Sequence, residues 1–197
     1  MENNNFNDLL TVKNVQIPLK PAALRIYQSI FPNSKIEDLR EKGVKVHILD
    51  KEFGIDSLLY LSSGQWFSIQ EKYRHLSYWK YHEFTQEFIN GDGSQGEWFS
   101  LAAQLYFYGW GDPIESIFYE WFILSIPTYK IIIERLGGIE SAGKKFSNEK
   151  HGKSKFVAIK YETIEPAIIY LGTKNVYQKR LSNGSFSNDL KIRLSEN

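Results

Sequence analysis

Three polar side chains interrupt a stretch that otherwise reads as apolar strand. Asp56 lies between Ile55 and Leu58-Leu59, and an uncompensated carboxylate there is costly to bury. It needs a cation, hydrogen-bond donors or a place at a strand's exposed end. Gln70 and Lys72 follow 14 and 16 residues later, two apart, as strand neighbours on one face must be. An acid, an amide oxygen and an ammonium at one end of a sheet form a set suited to phosphodiester hydrolysis. A hard divalent cation such as Mg²⁺ takes carboxylate, carbonyl and water oxygens. It polarises a phosphate and lowers the pKa of a bound water. A nearby ammonium orients that water or stabilises charge developing on the phosphate. The main-chain carbonyl of Glu71 is a further candidate ligand, although alternation sends its side chain to the opposite face.

A β-hairpin must position this set. Ile55 to Leu61 is an apolar run of strand length, Ser62-Ser63-Gly64 is a turn, and Gln65 to Arg74 alternates strictly. Phe67, Ile69 and Tyr73 point one way; Trp66, Ser68, Gln70, Lys72 and Arg74 point the other. His82 to Ile89 is expected to pair onto this hairpin as a third strand. Upstream, the spacing of Leu24, Tyr27, Ile30 and Phe31 predicts a helix over 21–31. Ser34 and Glu37 suit the capping box of a second short helix, and Val44 to Leu49 reads as a strand. Downstream, Asn90 to Gly96 is a loop by composition. Glu97 to Tyr108 reads as an amphipathic helix, though its dense aromatics leave a strand open. Glu120 to Ile126 is strand-like. Pro127 opens a helix to Leu136 that Gly137-Gly138 closes. Phe156 to Tyr161 is a further strand, and the chain turns polar from about Thr173. This order predicts an α/β fold, or α+β, with a central mixed sheet flanked by helices and a single domain over 1–197.

The run FGIDSLLYL…WFSIQEKYR resembles the PD-(D/E)xK nuclease superfamily, and more narrowly the Mrr-like restriction endonucleases, in which G-I-D precedes a hairpin and Q-x-K follows it. HEFTQE and GEWFSLAAQLYFYGW extend the likeness more loosely, to a wider group of phage and archaeal proteins. The resemblance places Asp56 at the motif aspartate, Gln70 at the acidic-or-glutamine position and Lys72 at the lysine. It implies a restriction-endonuclease-like core and Mg²⁺- or Mn²⁺-dependent cleavage of DNA. Gln70 replaces the acid of the commoner pattern, and a neutral ligand binds a hard cation less strongly. A second carboxylate is then expected to compensate, Glu83 or Glu87 being the candidates. Cutting both strands would favour a homodimer.

The bulk composition narrows the alternatives. Of the 197 residues 42% are hydrophobic, enough for a sizeable core, and none is cysteine, so disulfides, thiolate metal sites and a cysteine nucleophile are excluded. The histidines lack zinc spacing, and Walker, Rossmann and nucleophile-elbow motifs are missing. Net charge is only +1, so a nucleic-acid contact must be local. The segment KKFSNEKHGKSK supplies such a place: Lys144, Lys145, Lys150, Lys153 and Lys155, with Arg74 on the hairpin, are the expected DNA-backbone contacts. A solvated loop is the plainer account of the same charges. The polar N-terminus and short apolar runs predict a soluble, cytoplasmic protein without membrane contact, of cellular, viral or mobile-element origin. Two other functions fit the sequence: a nucleic-acid-binding protein on the same fold without catalysis, and a non-enzymatic structural or interaction module. A simple cross-strand ion pair between Asp56 and Lys72 would account for those residues without chemistry.

Overall fold

A computed structural model describes residues 12–39, 47–148 and 153–191. The architecture is mixed α/β, built on an eight-stranded sheet and a three-stranded one. The large sheet has the order β1 (Lys35–Asp38), β2 (Ser57–Tyr60), β3 (Trp66–His75), β5 (Leu105–Asp112), β6 (Ile117–Ser125), β9 (Ile168–Thr173), β10 (Val176–Lys179) and β11 (Leu190–Lys191). Only β3 and β5 run parallel; the other neighbours are antiparallel. The small sheet is β4 (Glu83–Ile89), β8 (Ser154–Lys160) and β7 (Lys144–Asn148).

Two cores lie on opposite faces of the large sheet. Helix α1 (Ile17–Ile30) presses Leu19, Ala22, Ala23, Ile26 and Tyr27 against Ile69, Tyr73, Phe107, Phe118, Trp121 and Ile123. On the other face, the small sheet and helix α4 (Ile126–Arg135) bring Phe84, Phe88, Val157, Tyr129 and Ile133 onto Tyr106, Tyr108, Trp110, Phe122 and Leu124. Strand β5 is therefore buried on both sides, and its sequence LYFYGWGD is apolar almost throughout. Two further helices matter for the site: α2 (His47–Phe53) and the single turn α3 (Glu97–Ser100). Among the described residues no helix is long and apolar enough to cross a membrane.

The hairpin, the 126–135 helix and strands β6 and β8 form where the sequence predicts them, within a few residues. The first helix starts earlier, at Ile17, with Pro18 accommodated in its first turn. Three expectations fail, and one alternative left open is decided. The Ser34–Glu37 segment is not a helix but edge strand β1, because pairing Ile36 with Leu59 completes the sheet and outweighs a local cap. His47 to Leu49 begin a helix rather than ending a strand, and 40–46 lie outside the described residues. The stretch Glu97 to Tyr108 is helical for one turn only, since burial on both faces makes strand β5 out of the aromatics. Strand β4 exists but pairs with β8 instead of the hairpin, because β5 takes the open edge of β3. The polar tail also contributes strands, β10 and β11, to the sheet edge.

One close approach fixes the far half of the sheet. Gly172 pairs with Trp121, and the indole lies directly over the glycine backbone where a Cβ would have to sit. Trp121 is fully buried and stacks on Phe107 with ring centroids 5.8 Å apart. Gly172→Ala must displace that ring, and overpacking of this kind costs about 1–3 kcal/mol. A lowered Tm in thermal unfolding is the expected result.

Candidate active site

The hairpin register sets the geometry. Ser57 pairs with Ile69, and the Asp56 N–H donates to the Ile69 carbonyl at 2.8 Å, so Asp56 stands opposite Gln70. Gly54, at the head of the G-I-D run, adopts φ +55°, which disfavours any residue with a Cβ. A Cβ there would also approach Gln70 Oε1 to 3.4 Å. The glycine thus lets the chain turn from α2 into β2 while leaving the Gln70 amide its place.

Gln70 lines a cleft of about 640 Å³ between α2, α3 and the end of β4. Asp50, Glu52, Glu87 and Glu97 contribute four carboxylates to its lining, and no lysine or arginine among the described residues joins them. The Gln70 Oε1 atom is buried and has no hydrogen-bond partner among the described residues. A buried amide oxygen left unpaired costs about 1–3 kcal/mol, so its setting suits a ligand that accepts oxygen donors.

Asp56 and Lys72 flank this cleft rather than line it. Asp56 is buried, and its Oδ2 accepts the main-chain N–H of Glu71 at 2.7 Å. The N–H and carbonyl of one strand residue leave on the same edge, so the Glu71 carbonyl also faces the Asp56 side of β3. Lys72 Nζ donates to Glu97 Oε2 at 3.0 Å. Glu97 Oε1 accepts from the Tyr106 hydroxyl at 2.7 Å. The Asp56–Lys72 ion pair that spacing alone allows is therefore not what forms: Lys72 pairs with Glu97. Glu97 escaped the sequence reading because a glutamate opening a helix ordinarily serves the helix dipole. Its position directly after the GDGSQG loop was the available signal.

Of the two compensating carboxylates expected, Glu87 lines the cleft and Glu83 does not. The four described members of the basic segment are divided. Lys144, Lys145 and Lys155 lie on the β7–β8 hairpin rather than a loop. Lys145 is paired with Glu140 at 3.1 Å, Lys153 and Lys155 are exposed, and Lys150 lies outside the described residues. Arg74 is half-buried, held by the Tyr108 and Thr85 hydroxyls. No cluster of three acidic or histidine side chains is close enough to hold a metal by itself among the described residues.

The Glu71 side chain occupies the opposite face, as alternation requires. It is buried there, accepting from Lys20 Nζ at 2.5 Å and from the Tyr27 hydroxyl at 2.9 Å. Lys20 also reaches Asp38 at 2.9 Å and Ser57 Oγ at 3.0 Å. This cluster ties α1 to β1, β2 and β3 directly beneath the candidate site. Comparison with known proteins finds no matching family model, no similar curated protein and no similar solved structure.

Glu71→Gln should therefore act on stability. Breaking a buried pair costs about 3–5 kcal/mol, and the retained Lys20–Asp38 contact places this variant at or below the lower end. Denaturant unfolding should show a reduced midpoint with unchanged slope. Alkaline pH should destabilise the fold for a related reason. Burial, and then the Glu71 and Glu97 carboxylates respectively, hold the Tyr27 and Tyr106 phenols protonated well above the ordinary value. Burial also raises Tyr161 to about 12. A phenol whose folded pKa is raised binds its proton more tightly when folded, so its stabilisation is complete below about pH 10 and lost above it. Tm should fall between about pH 10 and 12, and the part of the tyrosinate absorbance that comes from the buried phenols should appear in step with unfolding.

Proposed function

We propose that this chain is a metal-dependent nuclease acting on DNA phosphodiesters, with the Gln70 cleft as its reaction site. The observation that carries the reading is a cleft lined by Gln70 and four carboxylates, with the Gln70 Oε1 atom buried and without a hydrogen-bond partner among the described residues. Such a cleft repels phosphate, and a divalent cation would reverse that repulsion locally. The donor chemistry fits a hard cation. Mg²⁺ keeps several waters and needs only one or two protein carboxylates, a demand that Gln70 Oε1 with Glu87 and Glu97 can meet. When bound, Mg²⁺ or Mn²⁺ supplies a Lewis acid for the phosphate and a water of lowered pKa.

The chain's own groups then have distinct tasks. Lys72 holds its ammonium beside the cleft through Glu97, where it can orient the attacking water or meet charge developing on the phosphate. Tyr106 fixes the second oxygen of Glu97 and so the direction of that contact. Asp56 positions the strand by accepting the Glu71 N–H. That engagement of Asp56 also favours a second reading, a protein of the same fold that binds nucleic acid without cutting it.

The test is cleavage of supercoiled, linear, branched and single-stranded DNA with Mg²⁺ or Mn²⁺. Lys72→Ala and Gln70→Ala should each cut the rate by about a hundredfold or more, as loss of one electrostatic stabiliser does. Gln70→Glu should keep or raise metal affinity. Asp56→Asn retains an acceptor for the Glu71 N–H and isolates the role of the charge, whereas Asp56→Ala orphans a buried donor and loses stability as well. Metal-dependent binding without cleavage would establish the second reading. Cleavage unaffected by Gln70 and Lys72 would place the site elsewhere.

A further inference from the structure

The face of β3 that carries Gln70 and Lys72 ends at Arg74, in a second cavity of about 390 Å³. That volume lies at the small end of ligand pockets, suited to a small molecule or one residue of a polymer. Its walls are aromatic: Tyr78, Tyr81, Trp110, Phe146 and Phe156. Phe146 and Phe156 stack in parallel at 5.3 Å. Tyr78 and Tyr81 are 55% and 58% exposed at the rim, on the turn Leu76–Tyr81 between β3 and β4. Two large aromatics left this open beside a cavity suit a stacking partner.

The charge in the cavity is equally specific. The Arg74 guanidinium is held by two neutral hydroxyls, Tyr108 and Thr85, and makes no ion pair among the described residues. Lys144 joins it in the lining, with Nζ 4.9 Å from the Phe146 centroid. Glu83 supplies the one carboxylate there, leaving the lining net positive. A half-buried guanidinium braced by hydroxyls, with donors to spare, is arranged to receive an oxyanion.

We infer that this cavity is a nucleotide-binding subsite. Its occupant is one unstacked nucleotide of a DNA strand, the base against Tyr78 and Tyr81 and the phosphate on Arg74 and Lys144. The choice of occupant follows from the lining, in which exposed aromatic rings offer a stacking surface beside a guanidinium and an ammonium that can receive a phosphate. Gln70 and Arg74 are four residues apart on one face, about 13 Å at strand rise. The acidic cleft and the cationic aromatic cavity thus lie at two ends of one strand face, with Lys72 between them. The identity of the polymer rests on the nuclease reading; the affinity of the cavity for a nucleotide does not.

The experiment is a titration of thymidine 5′-monophosphate and of a short oligothymidylate in EDTA, followed by tryptophan fluorescence and anisotropy. Wild-type protein should bind both. Tyr78→Ala and Tyr81→Ala, at exposed positions, should each weaken the oligonucleotide about tenfold or more. Lys144→Gln should flatten the slope of log K against log salt by about one, and Lys35→Gln, at an exposed position outside the cavity, should change neither affinity nor competition by the mononucleotide. Absent binding, tyrosine variants that bind like wild type, or equal competition by inorganic phosphate would each overturn the subsite. Because no divalent ion is present, binding that persists in a protein unable to cut DNA would refute the nuclease reading alone. Metal-dependent cutting by a protein whose cavity binds no nucleotide would refute the subsite alone.

Discussion

The buried carboxylate of Glu71 is the constraint around which the rest of the structure is arranged. A charge in that position is tolerable only if donors surround it. The donors come from α1, through Lys20 and Tyr27, and Lys20 in turn gathers Asp38 from β1 and Ser57 from β2. One electrostatic requirement therefore fixes the helix against three strands. The same residue's N–H is taken by Asp56, so the main chain and side chain of Glu71 anchor opposite sides of the hairpin. The candidate site inherits its rigidity from this arrangement, and a functional strand held at both faces can keep its side chains in place without a ligand.

Strand β3 then divides the molecule by alternation. Ile69, Glu71 and Tyr73 belong to the helix side; Gln70, Lys72 and Arg74 belong to the side covered by the small sheet. The polar row meets an acidic cleft at one end and a cationic aromatic cavity at the other. Strand β4 runs beneath both, contributing Glu87 to the first and Glu83 and Thr85 to the second. Opposite local charge at the two ends of one strand face is consistent with a global net charge near zero. Any basic contact here is made by position rather than by abundance.

The hairpin was legible in the sequence because its information is local. Period-two alternation over Gln65 to Arg74, a serine-glycine turn and a run of apolar residues determine strand, turn and face without reference to the rest of the chain. The helix after Ser125 was equally readable, from a proline in the first turn and a glycine pair at the end, and the structure adds the Ser125 cap. What only tertiary structure decided was partnership. The aromatics of β5 show no alternation because both faces are buried, so their periodicity could not separate strand from helix. Strand β4 carried a correct strand pattern but no mark of its neighbour, since edge pairing depends on which edges other elements leave open. The pairing of Lys72 with Glu97, 25 residues apart, and of Glu71 with Lys20, 51 apart, follows from packing distance. Sequence spacing determined which residues could do chemistry on one face; only the fold determined which charges that face would meet, because Coulomb interactions depend on separation in space rather than along the chain.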